Sequence, residues 1–158
     1  MDNNQEQVRE DIFKFLNSHG VMTLATSDDG QPWVCTVYYG MDDDMNFYIV
    51  THPDTKHGQH FEKNKKVAFN VFHSHQKVAD LKQGVQGVGK IEELKDIIHI
   101  TQALMLWHKL NSESEIKITP QDILEKINGS KVYRITPNFF KYYNEELYKD
   151  TKYATLEL

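Results

Sequence analysis

The stretch that decides the fold is "VMTLATSDDGQPWVCTVYYGMDDDMNFYIV", Val21 to Val50. It reads as three strands separated by two tight turns. "VMTLATS" is the first strand and "DDGQ" the turn after it, where Asp29-Gly30 supplies the positive φ that a tight hairpin needs. "PWVCTVYYG" is the second strand. Pro32 stands at its start, where a missing N–H costs nothing. "MDDDM" turns the chain again into "NFYIV". Three strands joined by loops this short form an antiparallel meander.

The pattern continues outward in both directions. Upstream, Val8, Ile12, Phe13, Phe15 and Leu16 stand near helical spacing and predict a helix over 4–19, stopped by Gly20. Downstream, Thr51 to Asp54 reads as a turn, Thr55 as an N-cap and Lys56 to Glu62 as a short helix. "KVAFNVFH" and "GVQGVGKIEEL" are further strands. Glycines inside a strand mark a bend or the close approach of another backbone or a ligand. A long helix follows over 95–110. It is apolar on more than one face, so it is either a deep core helix or a helix at a subunit boundary. "TPQDILEKI" is a short helix with Thr119 as cap and Pro120 at its first position. "KVYRIT" and "FFKYYN" read as two closing strands around a Pro137-Asn138 turn. The tail from Glu145 carries no element assignment.

The expectation is therefore a mainly β protein with flanking helices. Its six or seven antiparallel strands are spaced for a barrel rather than a βαβ sheet. The chain of 158 residues is read as one domain, with barrel core at 21–94 and 131–144 and helices at 4–19 and within 95–128. A hydrophobic content of 39% argues against disorder. The formal net charge of −5, without a Lys/Arg block, argues against a nucleic-acid partner. The start "MDNNQEQVREDIFKF" lacks the basic-then-apolar pattern of a signal peptide. No apolar run approaches the roughly 18 residues of a membrane span. Cys35 is the one cysteine, which excludes an intrachain disulfide and a cysteine zinc cage. A cytoplasmic protein fits these features.

Thr55-Lys56-His57 stands where a strand gives way to a helix. A helix N-terminus offers unpaired N–H groups and a partial positive charge, which suit a phosphate dianion. Lys56 adds a full charge, Thr51 and Thr55 add hydroxyls, and His57 adds a further donor. The plainer alternative is an ordinary capped surface helix with a solvated lysine.

In order and spacing, Val21 to Leu94 resembles the first half of the pyridoxamine 5′-phosphate oxidase-like split-barrel flavoproteins. Lys131 to Tyr143 resembles their closing strands more loosely. The cues are a strand ending in Ala-Thr, a glycine turn, a proline-led strand, an aromatic strand ending in Thr, a Thr–basic helix start and "NKKVAFNVF". "WVCTVYY", "TKHG" and "GVQGVGKIEEL" most resemble a small bacterial branch. The resemblance implies a six-stranded antiparallel split β-barrel that dimerises and binds FMN in clefts between the subunits. It implies phosphate contacts from Thr51, Thr55, Lys56 and His57, and ring contacts from the strand Val34, Cys35, Thr36, Val37. Gln86, and less so Gln83, are candidate hydrogen-bond partners of the flavin. Trp107 is a candidate cover from the second subunit, with a core tryptophan as the alternative. The family usually carries a basic residue where His57 stands, and often an arginine in the preceding strand. This chain has no arginine between Arg9 and Arg134.

The implied activity is that of a flavin-dependent oxidoreductase, with NAD(P)H as candidate donor and an unidentified acceptor. Two alternatives stand beside it: a non-catalytic flavin-binding stress or storage protein, and a haem-binding or haem-degrading relative. The C-terminal stretch "YYNEELYKDTKYATLEL" lacks the Arg- and His-rich motif of true pyridoxamine phosphate oxidases, which argues against that specific activity. His57 with His60, and His73 with His75, stand at spacings that zinc could use, but no third ligand is legible for either pair. Asp42-Asp43-Asp44 reads as a solvated turn rather than a calcium loop.

Overall fold

The computed structural model describes residues 3–113, 115–125 and 129–158. The elements are α1 (Asn3–Asn17), β1 (Val21–Asp28), β2 (Gln31–Met41), β3 (Phe47–Thr51), α2 (Lys56–Lys63) and β4 (Lys66–Phe72). They continue with β5 (Gln83–Glu93), α3 (Ile97–Leu110), α4 (Pro120–Leu124), β6 (Lys131–Asn144) and β7 (Tyr153–Glu157). The strand order is β3-β2-β1-β4-β5-β6-β7, and β6 also returns to pair with β3. Six antiparallel strands thus close into a ring, with β7 added on the flank of β6. This is the mainly β, six-stranded split barrel that the sequence implies.

The ring is closed unevenly. β2 pairs with β1 over Gln31–Tyr38 but with β3 only over Tyr39–Met41. β6 pairs with β3 over Lys131–Ile135 and with β7 over Phe139–Tyr143. Each strand therefore changes neighbour along its length, and the barrel opens where it does so.

Alternation along the strands fills the interior. Met22, Leu24 and Thr26 of β1 are buried while the residues between them are not. The rings of Tyr39, Phe47, Phe69 and Phe140 meet in sequence at centroid distances of 5.1, 4.9 and 5.7 Å. Full burial of each such phenylalanine contributes about 1.5–3 kcal/mol. α1 lays Val8, Ile12, Phe15 and Leu16 on this core, and the Tyr39 hydroxyl donates to the Leu16 carbonyl at 2.7 Å.

α3 begins at Asp96, whose carboxylate caps the His99 amide. Its buried residues Ile100, Ala103 and Leu104 pack with Ile123 and Val132. Ile98 and Met105, on other faces, are 66% and 68% exposed. One side of α3 is thus core, while the other is open in the single chain. α4 starts with Thr119 and Pro120 as the sequence predicts, and Asp122 completes a capping box. Residues 126–128, the expected end of this helix, lie outside the described residues.

Two readings are corrected. Pro137-Asn138 is not a turn between two strands. β6 runs unbroken from Lys131 to Asn144, and its register with β5 slips at Val88/Gly89. The proline, which has no N–H to give a ladder, sits at this bulge, between the segments paired to β3 and to β7. The unassigned tail also has structure, since β7 pairs with β6. The glycines of β5 serve the chain's own packing. A Cβ at Gly87 would stand 2.3 Å from the Phe69 ring, and one at Gly89 would stand 2.5 Å from the Thr136 carbonyl.

Gly40 sets the approach of α3 to β2. A Cβ there would lie 2.3 Å from the Trp107 amide nitrogen, and backbone cannot rotate away as a side chain can. Gly40→Ala is expected to cost about 3 kcal/mol, the upper end for overpacking, read as a lowered urea midpoint.

Candidate functional site

The chain leaves β3 at Thr51, turns through His52 to Asp54 and enters α2. Thr55 is extended (φ −66°, ψ 156°), the backbone of an N-cap. Its hydroxyl accepts the Gly58 N–H at 3.1 Å and donates to the His52 carbonyl at 2.7 Å. That leaves the amide N–H groups of Lys56 and His57 without an acceptor among the described residues. Lys56 is exposed. His57 Nε2 and Thr51 Oγ1 stand 2.7 Å apart. Asp54, the carboxylate in the turn, lies 3.6 Å from the imidazole of His52. Thr51, Thr55, Lys56 and His57 are therefore gathered at one corner, and its free groups are donors.

The other end of α2 is tied to β1. His60 Nδ1 lies 3.0 Å from Thr26 Oγ1, and Lys63 donates to Asp28 at 2.6 Å. Asn64 donates to Ser27. α2 thus runs from the end of β3 to the β1–β2 hairpin, across the opening that the short β2–β3 pairing leaves. His57 and His60 face different threonines and do not form a ligand pair. Among the described residues no three His, Cys, Asp or Glu side chains are placed to hold a metal ion. His60 is 1% exposed, and its Nε2 has no partner among the described residues. Sequence reading weighed His60 only for metal binding and missed its role in anchoring α2. Thr26, whose hydroxyl carries that role, gave no signal because it lies 34 residues away.

β2 supplies the second part of the site. Asp28 and Gln31 flank a two-residue turn with Asp29 at φ 46° and Gly30 at φ 74°. Residues flanking such a turn form a hydrogen-bonded pair. Counting in twos, Trp33, Cys35 and Val37 turn their backbone groups to β1. Val34 and Thr36 turn theirs to the unpaired edge. Tyr38, next in that series, gives its carbonyl to Trp107 Nε1 at 3.2 Å. The side chains alternate accordingly, with Val34 59% exposed and Val37 buried. Cys35 is half-buried, and its Sγ lies 3.7 Å from the Leu24 carbonyl.

Three of the candidate residues lie elsewhere. Gln86 is exposed on β5, in a cross-strand row with Thr36, Thr23 and Asn70. It stands three strand spacings, roughly 14 Å, from Thr36. Trp107 is buried in its own chain against Gly40, and its N–H is taken by Tyr38. Gln83 lies at the start of β5, where its amide meets the side chain of Gln76.

A six-stranded ring opened along β2, with a helix across the gap, defines the split-barrel class. The chain belongs to the pyridoxamine 5′-phosphate oxidase family, whose model matches residues 8–134. It is 33% identical over 86 residues to a UPF0306 protein of Yersinia enterocolitica, covering 54% of this chain and 58% of that one. It thus spans a little over half the length of the curated relatives it matches. The solved structure of a heme binding protein from Mycobacterium smegmatis superposes with a TM-score of 0.71 at 14% identity, covering 99% of this chain and 59% of that one. A FAD-binding protein from Mesorhizobium loti superposes at 0.64 with 24% identity, covering 83% and 88%. At these identities the likeness is one of fold. Among the described residues no helix is long and apolar enough to cross a membrane.

Burial, and then the neighbouring His60, pushes the His57 imidazole below its ordinary value of 6.5. The unfolded chain therefore binds that proton more readily than the folded one. Stability is complete above about pH 6.5 and falls as the pH drops below it. His57→Asn is expected to flatten part of this slope in urea midpoints taken at about pH 5.5 and about pH 7.5. Burial also pushes the Cys35 thiol up to about 11. Its alkylation by iodoacetamide at neutral pH is expected to be slow in the native protein and fast in urea.

Proposed function

We propose that the protein is an FMN-binding homodimer that passes hydride or electrons from a reduced nicotinamide to an acceptor. The observation that carries this reading is the corner at α2. Two amides without acceptors, a lysine and a hydroxyl–imidazole pair converge there, beside a β2 edge that no strand of the described residues pairs over Val34–Thr36.

The donor set fits the two ends of FMN separately. Lys56, the amides of Lys56 and His57, and Thr51 would hold the phosphate. Thr55 would hold α2 in place as its cap, and its hydroxyl reaches the phosphate only by giving up His52. The backbone groups of Val34 and Thr36 on the open edge would meet the hydrogen-bonding edge of the flavin ring. Cys35 and Val37, turned inward, would support that strand from behind. When bound, the flavin supplies hydride chemistry, and the protein supplies placement and electrostatics. His57 acts as a neutral donor above the window in which it titrates, so the fixed charge on the phosphate rests mainly on Lys56.

A second copy is the natural cover for the outer sheet face. Val34, Tyr38 and Val88 stand exposed on it, between 44% and 59%. A contiguous apolar face of this kind marks an interaction surface. Gln86 lies on the same face and would address the flavin of the facing copy. Trp107 serves in this reading by fixing the Tyr38 carbonyl and with it the path of β2.

The fold alone does not select this chemistry. A carrier with the same site, or a haem protein like the mycobacterial relative's name describes, are the readings to separate. Titration with FMN is expected to give flavin absorption that co-elutes with a dimer. Lys56→Ala is expected to weaken it about tenfold, the loss of one charge-assisted contact. Mixing the loaded protein with NADPH is expected to bleach the flavin. A flavin that stays oxidised leaves the carrier, and a Soret band after adding haem in place of flavin binding leaves the haem protein.

A further inference from the structure

A cavity of about 710 Å³ opens where the end of α1, the start of β1 and the end of β4 meet. Its volume lies within the range of small-molecule sites. Three histidines line it: His19 from the end of α1, and His73 and His75 from the segment after β4. Only the second and third are neighbours in sequence. The fold adds the first, with ring centroids 6.2 Å apart for His19–His73 and 6.0 Å for His73–His75.

The chemistry of the lining is one-sided. It contains serine, threonine, asparagine and glutamine side chains and the apolar surfaces of Phe15 and Phe72, but no Asp, Glu, Lys or Arg. His19 Nδ1 lies 2.8 Å from the Phe15 carbonyl, so that nitrogen carries its hydrogen and donates there. The other nitrogen, Nε2, becomes a donor only when the ring takes a second proton. The side chains of His73 and His75 have no hydrogen-bond partner among the described residues. Charges on the surrounding elements are already engaged. Lys14 pairs with Glu10, and Asp11 accepts from Tyr148. Glu145 accepts the Lys82 amide and the Tyr143 hydroxyl. The Lys82 ammonium is turned onto the carbonyls of its own loop. Lys141 lies over the Tyr153 ring. No carboxylate of the described residues lines the cavity beside the three imidazoles.

We infer that this cavity is a subsite for a small organic anion, whose carboxylate or phosphate head sits among His19, His73 and His75 and whose flat apolar body lies on Val21 and Phe72. Thr36, on the strand assigned to the flavin ring, lines the same cavity. The anion is thereby placed as a substrate beside the flavin. That placement rests on the functional reading above; capture of the anion does not.

Calorimetric titration of the full chain with benzoate, inorganic phosphate and benzyl alcohol tests this. Benzoate and phosphate are each expected to bind. Benzyl alcohol, which shares the ring but not the charge, is expected to bind at least about tenfold more weakly than benzoate. The imidazole NMR signals of all three histidines are expected to shift with benzoate. The double variant His73→Ala/His75→Ala, altered at exposed positions, is expected to lose the anion and keep its melting temperature. No binding of either anion, equal binding of the alcohol, or undiminished binding by the double variant overturns the subsite. FMN titration of the same samples separates the two ideas. FMN bound without anion capture sinks the subsite alone, and anion capture without FMN sinks the flavin reading alone.

Discussion

The rest of the structure depends on how little of β2 is paired to β3. Three residues of an eleven-residue strand carry that contact, and the remainder of the edge is left with backbone groups to satisfy. An exposed strand edge is ordinarily a liability, because it recruits other strands. Here two helices restrict access to it. α3 occupies the inner part by taking the Tyr38 carbonyl through Trp107. α2 spans the outer part, fastened to β3 at one end and to β1 at the other. What remains is a short run of backbone at Val34 and Thr36, framed by side chains and reached from outside. A barrel with a fully paired ring would have no such feature.

The same geometry decides the electrostatics. A chain with a net charge of −5 can still present a cationic corner, because a helix N-terminus contributes partial charge that does not appear in a residue count. Lys63, paired with Asp28, and Lys131, paired with Glu93, are spent on structure. Lys56 is not among the paired lysines, and that separates it from them. His57 and His60 illustrate how position overrides residue type. Three residues apart on one helix, they meet hydroxyls from different strands, one partly wet and one sealed. The sealed imidazole fastens the helix that carries the other.

Much of the fold was legible. Asp29-Gly30, Pro32 and the alternation of "VMTLATS" are local signals, and each of them predicts an element that is present. Thr55, Thr119 and Pro120 announced their helix starts because capping is decided within four residues. The failures share a cause. Pro137 looks like a turn in isolation, and only pairing with two different neighbours on one edge lets it sit inside a strand as a bulge. β7 is five residues long, buries only Leu156, and exists because β6 offers it an edge. The glycines of β5 suggested an approaching backbone or ligand. Their neighbours turned out to be Phe72, Phe69 and the bulge of β6, which are 12 or more residues distant in the chain.

What the sequence determined by itself was the succession of strands, turns and capped helices, and with it the passage from the end of β3 through a turn into the Thr55-capped start of α2. These follow from backbone preferences and hydrogen bonds between residues a few positions apart. Only the tertiary structure decided that β2 has a free edge, that α2 is held across it by Thr26 and Asp28, and that His19 joins His73 and His75 around one cavity. Those facts depend on which strand lies beside which. That is settled by burying the aromatic core, a property of the whole chain that no short window contains.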